Sequence, residues 1–224
     1  MVAKRICYAE RVATRPGLRE RKKQQTRQLI YETAWRLFAE RGFEAVTVAE
    51  VARTADFSEV TVFNYFPTKE DLFFTGMEFF EERLLEVVRE RAAGESVFTA
   101  FRRLVVDSCG HLGTDERAAV IAEAAALINA SPALQARERE IVARFIYTLA
   151  GLLAKETGAS PDDVEPLTVA SALMGTHRAL VAYVRARTLT GRHGPKLAAD
   201  ARTQAIRAFA RLENGLADYA IKKG

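Results

Sequence analysis

The sequence predicts an all-α fold, with an N-terminal three-helix helix-turn-helix unit followed by a larger C-terminal helical domain. Three observations predict it. From about Arg19 onward apolar residues recur at steps of three and four, and no stretch keeps up the two-residue alternation of a half-buried strand. Start and stop signals punctuate that pattern at helix-length intervals. Two of the resulting segments are very short, joined by a three-residue turn, and preceded by a longer helix.

Residues 1–18 show no period and contain Pro16-Gly17, so they read as a mostly disordered arm. In the first helix Leu29, Ile30, Ala34, Leu37 and Phe38 are expected to share the core face. Gly42 ends it, with Arg41 in the last turn against the negative end of the helix dipole. Thr47-Val48-Ala49-Glu50 has the spacing of a capping box, in which the Thr47 hydroxyl accepts from the Glu50 amide and the Glu50 carboxylate reaches back. Val46 and Val51 occupy the positions of a hydrophobic staple, and Val48, Val51, Ala52 and Ala55 form a short apolar face. Asp56-Phe57 makes the turn. Ser58 then caps a second short helix from Glu59 to about Phe66, which Pro67 ends because the residue before proline avoids helical geometry. Thr68 caps the next helix, running to about Ala92. Further helices are expected over 96–112, 115–129, 132–156, 162–189 and 196–221, separated by Gly113-Thr114, Ser131-Pro132, 158–161 and 191–195.

Composition narrows the class. The chain has 224 residues, 49% of them hydrophobic, enough for a substantial core. No run approaches the roughly 18 apolar residues of a membrane span, and no apolar stretch follows the basic N-terminus as in a signal peptide, so a cytoplasmic protein is expected. Cys7 and Cys109 lie far apart and read as reduced thiols. No metal-ligand spacing links His111, His177 and His193, and no cofactor or catalytic constellation is expected. Residues 1–30 carry a net +7 and the remainder −3. A basic arm ahead of a near-neutral globule suits phosphate binding, and on charge alone a merely solvated terminus is an equal reading.

The second short helix carries the functional signal. At about 100° per residue, Val62, Phe63 and Phe66 fall together toward the core, and Val60, Thr61 and Asn64 fall together outside, with Tyr65 at the edge. A solvated face would favour Lys and Glu. A major groove suits what is present: Asn binds adenine bidentately, and Val and Thr methyls meet the thymine methyl. Tyr65 and Lys69 would reach phosphates from the flank, Thr47 from the helix before, and Arg19, Arg21, Lys22, Lys23 and Arg27 from the arm. A small three-helix subdomain without nucleic acid remains open from geometry alone.

The run from Thr47 to Leu72, TVAEVARTADFSEVTVFNYFPTKEDL, resembles the DNA-binding signature of the tetracycline-repressor-like (TetR) family, and the likeness covers about residues 20–75. The resemblance implies a homodimer of nine or more helices per chain, with helices 1–3 on a palindromic DNA operator and a variable C-terminal domain that senses a small molecule. Carried over by position, Thr47, Ser58, Thr61, Asn64, Tyr65 and Lys69 contact DNA. Three residues depart from the pattern: Asp56 and Val60 stand where Gly is frequent, and Phe63 stands where Tyr is frequent, which removes a phosphate-contacting hydroxyl. Asp tolerates left-handed geometry, so the turn should survive. Beyond residue 75 the likeness rests on length and helical content.

The expected organisation is therefore an arm over 1–18, a DNA-binding domain over 19–67, and an effector-binding and dimerisation domain over 68–224. Leu167, Ala170, Leu173, Met174 and Leu180 on one late helix, and Leu197, Ala201, Ala205, Ala208, Phe209 and Leu212 on the last, are the expected dimer faces; an intrachain core is the alternative. Phe101, Val105, Phe145, Thr148, Met174, His177 and Arg178 are expected to enclose a mostly apolar cavity with a polar end for an apolar or amphipathic effector. The functional expectation is a transcriptional repressor that leaves its operator when the effector binds. A non-specific DNA-binding protein and a helical enzyme with a scaffold helix-turn-helix are the alternatives; the sequence has no clustered carboxylates, Cys/His pair or phosphate loop to favour the enzyme.

Overall fold

The computed structural model describes residues 17–216 with Tyr219 and Ile221, and every regular element among them is a helix. The expected disordered arm falls, up to residue 16, outside the described residues. The helices are α1 (Leu18–Arg41), α2 (Val48–Thr54), α3 (Glu59–Tyr65), α4 (Lys69–Arg89), α5 (Val97–Ser108), α6 (Asp115–Ala130), α7 (Pro132–Thr157), α8 (Glu165–Leu189) and α9 (Gly194–Leu216). They form two compact units. The first runs to Phe80 and adds Ala126–Glu138; the second comprises Glu81–Ala125 and the chain from Arg139.

In the first unit, α1 buries Ile30, Tyr31, Ala34, Trp35, Leu37 and Phe38. Leu29 does not join them: it is 48% exposed, because it sits about 100° before Ile30, off the edge of that stripe. Gly42 stops α1 at φ 83°, a conformation costly to any residue with a Cβ, and its amide donates to the Phe38 carbonyl at 2.8 Å. Phe43 then packs on Phe38, ring centroids 5.0 Å apart, and Trp35 stacks on Phe73 at 4.9 Å.

Local capping defines the short helices. The Thr47 hydroxyl accepts from the Glu50 amide at 3.2 Å, and Val46 and Val51 are both buried as the staple requires. The other half of the expected box is replaced: the Glu50 carboxylate pairs with the Arg41 guanidinium, a charged donor that outcompetes a neutral amide. Asp56 takes the left-handed turn position at φ 61°. The Ser58 hydroxyl accepts from the Thr61 amide at 3.1 Å. At α4 the cap is reciprocal: the Thr68 amide donates to Asp71 Oδ2 at 3.1 Å, and the Asp71 amide donates to Thr68 Oγ1 at 3.2 Å. The other Asp71 oxygen accepts from Arg137 at 2.7 Å, tying α4 to the start of α7.

The second unit is built around α9. Phe209 lies 6.0 Å from both Phe98 and Phe101 of α5, and the small residues Ala201 and Ala205 let α9 approach its neighbours. The helix expected over 96–112 ends at Ser108 and continues as a 3₁₀ turn, Cys109–Gly113. The helix expected from residue 162 begins at Glu165, whose amide is taken by the Asp163 carboxylate at 2.8 Å. The last helix begins at Gly194 and ends at Leu216, ahead of the expected 221. Arg91, just beyond α4, is fully enclosed. It donates to the Val88 carbonyl, to the Glu95 carbonyl at 3.1 Å, and to both Glu156 oxygens at 3.0 and 2.6 Å.

The expected dimer faces of the last two helices need correction. Ala170, Leu173, Met174, Leu180, Leu197, Ala201, Ala205 and Phe209 are buried within the chain, where α9 packs against α5 and α8. Ala208 and Leu212 are half-buried, and Leu167 alone among them is exposed. An apolar stripe looks the same in sequence whether its cover is intrachain or a second copy, and here the chain's own core takes it.

Candidate functional site

Helix α3 has seven residues and buries one of them, Val62, while Phe66, the residue that follows it, is enclosed as well. Its outer surface is formed by Glu59, Val60, Phe63 and Asn64, with Thr61 and Tyr65 half-buried at the margins. Val60 is 71% exposed and Asn64 is exposed, as the helical angle predicts. Phe63 contradicts its expected core position, with 45% of its surface exposed. Val62 and Phe66, one turn apart, occupy the buried side of this segment, and Phe63 lies about 60° beyond Phe66.

The hydroxyls at the start of α3 are engaged with one another. Ser58 Oγ, besides capping, shares a hydrogen bond with Thr61 Oγ1 at 2.8 Å, and both residues keep solvent access. Thr47 is exposed at the start of α2. Lys69 is held inward: its ammonium lies 4.1 Å from the centre of the Phe43 ring, and burial pushes its pKa down against the opposing pull of Glu44 and Glu70.

The basic arm is helical where it is described. Arg21, Lys22 and Lys23 are exposed on the first turns of α1. Arg19, Lys23 and Arg27 recur at four-residue steps along one stripe. The Arg27 guanidinium lies 5.4 Å from the Phe66 ring centre, linking this stripe to the end of α3. Phe63 joins the outer surface against expectation, and the shortness of α3, which leaves room for few core positions, is the feature of the sequence that marks it.

The candidate effector residues all lie in the second unit, but they do not form one set. Phe101, Val105, Phe145 and Met174 are buried, and His177 is half-buried. Burial, followed by the Arg185 charge, pushes the His177 pKa down to about 4, so the imidazole is neutral at pH 7. Thr148 and Arg178 are exposed and depart from the expectation. The buried stripe of α7 runs through Ile141, Phe145, Leu149 and Leu153, which leaves Thr148 outside with its hydroxyl donating to the Arg144 carbonyl at 2.9 Å. Arg178 is likewise off the line of Leu173, Met174 and Leu180. Among the described residues no three His, Cys, Asp or Glu side chains come together to hold a metal ion, and no single helix is long and apolar enough to cross a membrane.

Comparison with known proteins identifies the family. Residues 30–75 match the family model for bacterial regulatory proteins of the tetR family, and residues 95–217 match the MftR C-terminal domain, which alone spans more than half of the chain. The transcriptional regulator TcmR of Streptomyces glaucescens is 34% identical over 85 residues, 38% of this chain and 38% of TcmR, so the match spans well under half of that relative. Among solved structures, the SmeT–triclosan complex superposes with a TM-score of 0.56 at 16% identity, over 90% of this chain and 96% of SmeT. FadR from Bacillus subtilis in complex with stearoyl-CoA superposes with a TM-score of 0.50 at 18% identity, over 81% and 97%. At those identities the likeness is one of fold. With both halves matched by family models, the chain belongs to the tetR family of bacterial regulatory proteins: it is a DNA-binding, helix-turn-helix transcriptional regulator.

Proposed function

We propose that this regulator is a cytoplasmic, homodimeric repressor that binds a palindromic operator and is released by an apolar or amphipathic small molecule. In this reading residues 19–67 read DNA, and residues 68–224 dimerise and sense the effector. The observation that carries it is the outer face of α3, where Val60 and Asn64 project with no cover from the chain. Asn64 supplies the bidentate contact to adenine, and Thr61, Tyr65, Ser58 and Thr47 supply flanking contacts. Arg21, Lys22, Lys23 and Arg27 add phosphate attraction, and Lys69 joins them by swinging off the Phe43 ring.

The second copy docks on the faces of α8 and α9 that the core leaves open. On α8 these are Leu167, Ser171, Gly175, Ala179, Ala182 and Ala186; on α9, Ala199, Thr203, Ile206 and Ala210. Small side chains with scattered apolar ones permit close helix approach, and a palindromic operator asks for two copies of α3 about one DNA turn, roughly 34–36 Å, apart. The effector seats among Phe101, Val105, Phe145 and Met174, with the neutral His177 imidazole as its polar partner. The ligands named for FadR and SmeT, stearoyl-CoA and triclosan, belong to those proteins and support an apolar ligand class here. The effector acts only through its different affinity for the DNA-competent and released states.

A gel shift on the promoter beside the protein's own gene, with unlabelled competitor, tests the reading. Specific retention, reversed by a compound that also raises the thermal midpoint, supports it. Equal affinity for every duplex with steep loss in salt replaces it with non-specific coating.

A further inference from the structure

We propose that Val60 and Phe63 form an apolar reading edge that recognises the C5-methyl groups of neighbouring thymines in the operator half-site. The inference rests on the reading that α3 enters the major groove, and it adds the chemical feature that α3 selects there.

The two side chains are the large apolar groups on a helix of seven residues, 71% and 45% exposed. They stand three positions apart, so their Cβ atoms are about 5–6 Å from each other on one side of α3. The polar groups nearby are few. The Ser58 and Thr61 hydroxyls bond each other at 2.8 Å at the helix start, on the flank of this edge. Asn64 and Glu59 are the exposed polar side chains of α3, Glu59 one turn before Phe63, and between them Val60 and Phe63 present hydrocarbon.

The occupant follows from the family and from charge: α3 belongs to a DNA-binding regulator, and the exposed cations Arg19, Lys22 and Lys23 open α1 in the same unit. Of the groups that base edges present in the major groove, the thymine methyl is the apolar one; cytosine carries only hydrogen at that carbon. Successive bases rise about 3.4 Å, so two side chains at this spacing cover neighbouring positions. Phe63, lacking a hydroxyl, has no hydrogen bond to give a phosphate oxygen, and its ring contributes through contact alone.

The test uses the full chain and a duplex recovered from a random library by repeated selection. That duplex is resynthesised with deoxyuridine in place of each thymine in turn, which removes one methyl and leaves the pairing unchanged. Wild-type affinity should fall about three- to fivefold at one or two thymines per half-site, the value of one buried carbon. In Val60→Ala and Phe63→Ala, checked for retained helicity, the same replacement should cost less than about twofold, while Phe63→Leu keeps the sensitivity. Wild type that binds the selected duplex yet ignores every methyl overturns this inference and leaves the groove reading standing. Methyl sensitivity undiminished in both alanine variants also overturns it. Failure to select any sequence overturns both.

Discussion

The Arg91 guanidinium, fully enclosed, grips the Glu156 carboxylate through two nitrogens at 3.0 and 2.6 Å, although the residues lie 65 positions apart. The pair fixes the segment after α4 to the end of α7, and it is a strong bond because two parallel charge-assisted hydrogen bonds join an enclosed guanidinium to the carboxylate. Glu156→Ala leaves an enclosed cation without its carboxylate, and should lower unfolding stability by about 3–5 kcal/mol in urea titration. The double change Arg91→Met with Glu156→Leu should recover much of that loss, because no charge is then left buried.

Asp56 sits at φ 61° between α2 and α3. Asp56→Val should cost about 1–2 kcal/mol, since a β-branched side chain clashes in this region, whereas Asp56→Gly should be neutral or slightly stabilising. Thermal melts of the three proteins should rank Gly at or above Asp, and Asp above Val.

Protonation should weaken the second unit. The His177 pKa is pushed down to about 4 in the folded protein, from 6.5 for the ordinary group. The unfolded chain therefore binds more protons at intermediate pH, so stability is complete above about pH 6.5 and declines as pH falls toward 4. A His177→Gln variant should show a flatter melting-temperature profile across that window than wild type; superimposable profiles would contradict the assignment.

Dimerisation through the open faces of α8 and α9 has a direct probe in Ile206, 39% exposed and outside the chain's own core. Ile206→Glu places a charge on the proposed contact without disturbing Ala205 or Phe209. Light scattering should report a dimer for wild type and a monomer for the variant.

What the sequence made legible was local. Thr47, Ser58 and Thr68 announce their helices because a cap is satisfied by an amide three residues away, within the same short segment. The turn at Asp56 and the core positions Val62 and Phe66 follow for the same reason. Partners set by the tertiary fold were not legible: Glu50 is claimed by Arg41 from another helix, and Glu156 by Arg91 across the unit. Phe63 escaped because α3 spans barely two turns, too short for periodicity to separate the edge of a core face from its centre. The buried stripes of α8 and α9 escaped because an apolar face does not say which surface will cover it.

The central claim is that the outer face of α3 reads base edges, and Asn64 tests it most directly. Binding of the Asn64→Ala protein to the selected operator and to a scrambled duplex should be measured at one fixed salt concentration. The account predicts a loss of about 1–3 kcal/mol on the operator, relaxed preference at one base pair per half-site, and unchanged affinity for the scrambled duplex. Binding to both duplexes indistinguishable from wild type would contradict it.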